Sequence, residues 1–331
     1  MSREDIDIRK SNILVGAAAL MLAAGMAQAQ VKLAHDCPPD PATCGTYVWG
    51  NTFAEHLRAN GIDVTEFDRG ALGNEDERLD QVSSGLLEVS MSDARSAGTL
   101  DPFIYGASMP FLYDTHAVFD AADAAHGLLT RVNEGTTEHG VRVLAMVANG
   151  SPAGLFNTRR PINTIEDMAD LRMRALDETQ IRMYETWGSK GTIVAWAEVP
   201  SALQTGVADG YLNAPIVPLM FGHQDFLKHF TDLRISAPFR IAIASEDWYQ
   251  GLSDAERAVV AEGVALATEA NRDWVESQSG VLDDLEAAGI AVVRLSAEER
   301  DRFAEASRSL YESDLLSPED TAFWLAAFGR E

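Results

Sequence analysis

Two hydrophobic periods alternate along this chain. "VKLAHD" and "IDVTEF" carry the short runs or alternations of strands, whereas "TYVWGNTFAEHLRANG" sets Val48, Phe53 and Leu57 on one helical stripe with Gly61 beyond its end. In "RGALGNEDERLDQVSSGLLEVSM", Asn74 stands where it can cap a helix whose first turn holds Glu75, Asp76 and Glu77, the charges that the N-terminal dipole favours. Strand, helix, strand, helix is the pattern of an α/β fold.

A related unit recurs later. "DQVSSGLLEVSM" and "SALQTGVADGYL" share a helix end, a glycine suited to a left-handed turn (Gly85, Gly206), an apolar stretch and an acid (Glu88, Asp209), as two similarly built lobes would. Between them "NGSPAGLFNTRRPI", from Asn149 to Ile162, concentrates the residues of a chain crossing. Beyond it Thr164 and Asp167 cap a short helix, "LRMRAL" and "TIVA" are strand-like, and "TQIRMYETWG" is helical. Ser253 to Glu256 form a capping box opening a helix predicted to run for about 30 residues, long enough to brace both lobes. Gly289 ends that pattern, "IAVVRL" is a late strand, and Ser296 to Glu299 cap another helix. In "ALQTGVADGYLNAPIVP" the Asp-Gly, the Asn and the two prolines predict an irregular segment, pinned by Gly210 and Pro215, instead of another buried strand.

At 331 residues the chain exceeds a single core. Lys and Arg number 26 against 51 Asp and Glu, a formal charge of −25 that repels nucleic acid and anionic lipid. Salt screens exposed charge, so one buried arginine can still capture an anion against that background. The opening residues place Arg9 and Lys10 before the apolar run from Ile13 to Met26 and then Ala27-Gln28-Ala29, a secretory signal with cleavage expected before Gln30. The run is too short to span a bilayer, so the mature protein is expected to be exported and soluble. Cys37 and Cys44 are the only cysteines, in a proline-rich loop, and an oxidising compartment favours a disulfide over two free thiols; their spacing does not suit zinc.

No nucleophile elbow, dinucleotide fingerprint, phosphate loop, zincin helix or EF-hand loop occurs, and the seven histidines are scattered, so neither a cofactor nor a metal is expected. The segments "GALGNEDERLDQVSSGLLEVSM", "MPFLYDTHAV", "RRPINTIEDMADLRMRAL", "VAWAEVPSALQTGVADGYLNAP" and "YQGLSDAERAVV" resemble, in that order, the substrate-binding proteins of tripartite ATP-independent periplasmic (TRAP) transporters, the DctP family. The resemblance covers essentially the whole mature chain and is most specific from Pro161 to Pro215.

It implies a type II periplasmic binding-protein-like α/β fold: two lobes, a hinge and a long bracing helix. Residues 1–29 are then the signal, 30–150 the first lobe with 243–283 returning to it, and 151–242 the second lobe with 284–331 returning. The hinge falls near Asn149 to Ser151 and at the crossing before Ser245.

The resemblance makes Arg174 the residue that grips a ligand carboxylate; a guanidinium does so through two parallel hydrogen bonds, and Arg172 is its nearest competitor. The family's Asp-Gly-x-x-Asn-Pro appears as "DGYLNAP", one residue longer before the proline, which makes Asn213 an amide donor to the same carboxylate. Trp196 matches a ligand-facing aromatic or apolar position, and Phe239 stands where the second crossing passes the cleft. From the first lobe, His35, Asp36, Ser92, Asp93 and Arg95 match positions that read the other end of the ligand. Many relatives carry a second arginine after an Asn-Gly at the lobe crossing, where this chain has Pro152, Ala153 and Gly154. The expected ligand is therefore a compact monocarboxylate or zwitterion, delivered by a periplasmic, monomeric protein to TRAP permease subunits. Two alternatives stay open: a ligand-sensing partner of a membrane histidine kinase, and an exported α/β enzyme.

Overall fold

The computed structural model describes residues 30–312 and 315–330, so the segment read as a signal lies outside the described residues. In chain order the strands are β1 (Val31–Ala34), β2 (Val64–Phe67), β3 (Val89–Ser92), β4 (Val141–Ala148), β5 (Gly154–Asn157), β6 (Arg172–Ala175), β7 (Lys190–Ile193), β8 (Gly210–Asn213), β9 (His229–Asp232), β10 (Phe239–Ser245) and β11 (Ala291–Arg294). They form two sheets, ordered β2-β1-β3-β10-β4 and β11-β9-β5-β8-β6-β7, one to each α/β lobe. The first sheet is buried on both faces. Ile241 and Ile243 of β10 enter one hydrophobic cluster and Ala242 and Ala244 the other, as the two-residue period of a strand requires.

The connections between the sheets place the cleft. The chain leaves β4 at its carboxyl end to become β5, and leaves β9 at its carboxyl end to become β10. Both entering strands run against their new neighbours: β5 is antiparallel to β8 and β9, and β10 to β3 and β4. The first residues of each therefore lie at the carboxyl ends of the strands beside them, and the carboxyl edges of the two sheets face one another. That is where open α/β sheets bind ligands. Backbone bonds knit the two crossings together, from Asn149 N to Pro238 O (3.0 Å), Ala153 N to Ser236 O (3.0 Å) and Ile235 N to Ala153 O (3.1 Å). The second crossing ends at Pro238, so Phe239 to Ala242 belong to the first sheet, earlier than the boundary expected at 243.

The repeated unit has a structural counterpart in each lobe. The helices Glu75–Ser83 and Val199–Thr205 are followed by Gly85 and Gly206 at φ 72° and 71°, and then by the strands β3 and β8. The acid before each strand does the same work: Glu88 Oε2 accepts from Lys32 N of β1 at 2.8 Å, and Asp209 Oδ2 accepts from Arg172 N of β6 at 2.9 Å.

The segment around Gly210 departs from expectation. Gly210–Asn213 is a strand inside the second sheet, antiparallel to β5 and parallel to β6, and the chain becomes irregular only from Ala214. Gly210 is needed for close packing and not for a turn, because the Phe156 carbonyl oxygen occupies the place of its missing Cβ.

The bracing helix is Asp254–Ser277, capped by the Ser253 box; a 3₁₀ turn at Gln278–Gly280 separates it from the helix Val281–Ala287. Gly280 lowers helix propensity where a single helix was expected. The long helix packs on the helix Gly45–Ala59 and on β4, while Trp274 reaches Ala214, Ile216 and Val217 of the second lobe. Buried Asn271 binds the end of β4, accepting from Ala148 N (2.8 Å) and donating to Ala148 O (3.0 Å) and Gly45 O (2.9 Å). The last helix, Pro318–Ala327, differs from the expected division: Trp324 donates to Phe103 O at 2.9 Å and is buried in the first-lobe core.

Candidate functional site

Three of the expected second-lobe residues meet at its carboxyl edge. Arg174, third residue of β6, is buried at 5% exposure. Its Nε donates to Val194 O at 2.9 Å, and its guanidinium lies over the Trp196 ring, 5.4 Å from the centroid. Among the described residues no carboxylate stands within ion-pair distance of it. Burial pulls the Arg174 pKa below its ordinary value, and the charge of Arg95, from the first lobe, acts in the same direction. Tyr184, Tyr211 and the charge of Asp177 act the other way without outweighing burial; burial raises both phenols, so at neutral pH they carry no charge to pair with it.

Arg172 has another role. It sits two residues back along β6, roughly 6.6 Å nearer the amino edge. There its Nε and Nη2 bind Asp209 at 3.1 and 3.0 Å.

Asn213 ends β8 two residues past Tyr211, the register partner of Arg174. Its Oδ1 accepts from Ala214 N at 2.9 Å, and its amide nitrogen has no hydrogen bond among the described residues. Trp196 is half-buried in an aromatic nest with Tyr211, Phe221 and His223, at centroid distances of 5.6, 5.3 and 5.1 Å. Burial lowers His223 to about 4, so this wall is uncharged at neutral pH. Phe221 also meets the first lobe: the Arg69 guanidinium lies 5.5 Å from its ring centroid, across the cleft.

The first-lobe residues follow the carboxyl ends of β1 and β3, but they are not free. Asp36 Oδ1 accepts from Thr46 Oγ1 at 2.7 Å and Oδ2 from Arg240 Nε at 2.6 Å. Burial alone would raise its carboxyl; the Arg240 charge and these two bonds outweigh it and hold the group below the usual range. Asp93 caps the helix Ala94–Gly98 through Ser96 N at 2.7 Å. Its other oxygen lies 3.7 Å from Arg240 and 3.9 Å from Arg95. The Arg95 side chain is partly exposed, and among the described residues its guanidinium has only long pairs, with Asp93 and with Asp76 at 3.7 Å. Ser92 is buried with its hydroxyl unpartnered among the described residues.

Two expected residues point elsewhere. His35 is buried against Tyr47 with Nε2 2.8 Å from Glu66, and Phe239 packs edge-on against His116 and Phe119 in the first-lobe aromatic cluster. Cys37 and Cys44 are joined in a disulfide whose two sulfurs lie 3.2 and 3.1 Å from Thr46 Oγ1, the group that holds Asp36.

Arg240 and Glu75 were not anticipated. Arg240, second residue of β10, binds Asp36 and Glu75 and stands 3.7 Å from Asp93. Locally it is one polar residue at the mouth of the run "FRIAIAS", and its acids lie far away in sequence. The only signal available was topological, since a strand entering at a carboxyl edge brings its first residues into the cleft.

Among the described residues no group of acids, histidines or cysteines forms a metal site, and no helix is long and apolar enough to cross a membrane.

The chain is 25% identical over 269 residues to the ectoine-binding periplasmic protein TeaA of Halomonas elongata, covering 78% of this chain and 77% of that protein. It is 26% identical over 305 residues to the C4-dicarboxylate-binding periplasmic protein DctP of Rhodobacter capsulatus, covering 88% and 89%. The fold matches a TRAP periplasmic solute-binding protein from Sulfitobacter sp. NAS-14.1, solved with bound β-D-galacturonate, at TM-score 0.80 and 21% identity over 91% of this chain and all of that one. The family model for bacterial extracellular solute-binding protein family 7, DctP, spans residues 40–315, and the chain belongs to that family.

Proposed function

We propose that this chain captures a compact organic monocarboxylate between its lobes. Arg174 grips the carboxylate, the unbonded amide nitrogen of Asn213 steadies it, and Trp196 forms the apolar wall. The protein is a periplasmic solute-binding component of a TRAP transporter, a family of carriers and not of enzymes, working with a membrane permease. The relatives take chemically different solutes, so the choice must come from this chain's own residues.

One observation carries the reading: a buried guanidinium at the carboxyl edge with no carboxylate in ion-pair distance among the described residues, Asp177 acting on it only from farther away. A charge removed from water without a partner costs several kcal/mol, and an incoming carboxylate supplies the missing partner. The crossing supports a single anionic group. Where many relatives place a second arginine, Ala153 is buried in the paired crossings, and the Thr231 carbonyl oxygen fills the place of a side chain at Gly154. We infer a monomer that delivers one solute per cycle.

Calorimetry with Arg174→Ala tests this. A ligand identified by mass spectrometry of native protein should lose at least about 100-fold in affinity. Retention within about threefold would remove Arg174 from the site.

A further inference from the structure

We propose that Arg240 determines specificity at the first-lobe end of the cleft, selecting carboxylates whose far end carries hydroxyl or carbonyl oxygens and rejecting those that carry an ammonium. This rests on the reading of Arg174 as the carboxylate grip.

Acids at the ends of β1 and β3 would, taken alone, invite a cation. The structure uses those acids internally. Both oxygens of Asp36 are occupied, by Thr46 and by Arg240 Nε, and one oxygen of Asp93 caps Ser96. Glu75 binds Arg240 Nη2. A second guanidinium, Arg78, is buried behind them, bound to Ser90 Oγ, Gly73 O and Met91 O, and its charge acts on Asp36. An ammonium arriving at Asp36 or Glu75 would have to displace Arg240, leaving one of the two unpaired, and one arriving at Asp93 Oδ2 would stand close to the Arg240 and Arg95 guanidiniums, 3.7 and 3.9 Å from that oxygen.

Arg240 keeps a donor with capacity. Arg240 Nη1 makes no hydrogen bond among the described residues and lies 3.7 Å from Asp93 Oδ2, beyond hydrogen-bond distance. A guanidinium nitrogen can only donate, so it is complemented by an oxygen acceptor. Asp36, Glu75 and Asp93 are balanced by Arg240, Arg78 and Arg95, so the cluster carries no surplus charge of either sign, which suits a neutral oxygen better than an ammonium or a second carboxylate.

The test is calorimetry of the full mature protein against two panels. Glycerate, 2,3,4-trihydroxybutyrate and gluconate carry oxygens; 4-aminobutyrate, proline and glycine betaine carry nitrogen cations. The wild type should bind at least one hydroxy acid about tenfold or more tighter than any zwitterion. Arg240→Gln should lose about ten- to hundredfold on that hydroxy acid, with the preference collapsing. Because the single change strands Asp36, the D36N/R240Q pair, which removes both charges, is measured beside it with thermal melts as a check of folding.

A zwitterion bound more tightly than every hydroxy acid, binding of no hydroxy acid, or a preference kept within threefold in both variants overturns the inference. Arg174→Ala separates the two readings. Lost binding there with unchanged selectivity in the Arg240 variants defeats this inference alone. Retained binding there with selectivity lost at Arg240 defeats only the carboxylate grip.

Discussion

The Arg174 guanidinium stands 5.4 Å from the centroid of the Trp196 ring, a cation held over an aromatic face within an otherwise uncharged wall. Such a contact contributes about 0.5–2 kcal/mol and fixes the plane of the guanidinium. Trp196→Ala should therefore weaken ligand binding by roughly tenfold while leaving the fold intact. In the wild type, ligand should change the intrinsic tryptophan emission, and that change should vanish in Trp196→Phe; an unaltered ligand response in the Phe variant would place the ligand elsewhere.

Arg174 itself sets function against stability. Replacing an unpaired buried charge with an apolar side chain of similar length removes a desolvation cost. Arg174→Met is expected to melt no lower than wild type in ligand-free buffer, yet to show no thermal shift with ligand. Differential scanning calorimetry with and without ligand checks both halves, and a large fall in ligand-free stability would make Arg174 a structural residue.

His116 links the first lobe to the second crossing, its Nε2 donating to Pro238 O at 3.0 Å. Burial, only partly offset by that bond, lowers it from 6.5 to about 4. A depressed histidine favours folding above its unfolded value, and that contribution is lost as pH falls from about 6.5 toward 4. Urea midpoints at pH 7 and pH 5 should give a loss about 2 kcal/mol greater for wild type than for His116→Gln, which keeps a donor without titrating. Equal losses would show that His116 is not the group titrating.

Closing so short a loop, the Cys37–Cys44 bond is worth about 2–3 kcal/mol. Its sulfurs also flank the hydroxyl that holds Asp36. The Cys37→Ser/Cys44→Ser protein should melt lower and bind its ligand several-fold more weakly, whereas Arg174 contacts on the other lobe remain unchanged. A drop in melting temperature with unchanged affinity would confine the bond to stability.

What the sequence made legible follows the range of the interactions involved. Capping is local, and Asn74, Ser253 and Ser296 each stand at the helix start their neighbours indicated, with Glu77 N bound to Asn74 Oδ1 at 3.0 Å. The matching acids Glu88 and Asp209 were visible as a weak repeat, although their identical use in binding a neighbouring strand was not. Gly210 was misread because a glycine avoiding a carbonyl on the next strand looks, in one dimension, like a glycine making a turn. Arg240 was illegible for the strongest reason: its acids lie 204 and 165 residues away, and only the reversal of β10 brings them together. The placement of Pro318–Ala327 on the first lobe is likewise a tertiary choice, made by the indole of Trp324 in a distant core.

The paired crossings bear on how the two halves can move. Two antiparallel connections joined by backbone bonds behave as a strap hinge and not as a swivel, permitting a swing about the strap while resisting rotation around its length. A swing of that kind would change the gap between the two carboxyl edges while keeping them in register, because both connections are fixed to one another at Asn149, Ala153 and Ile235.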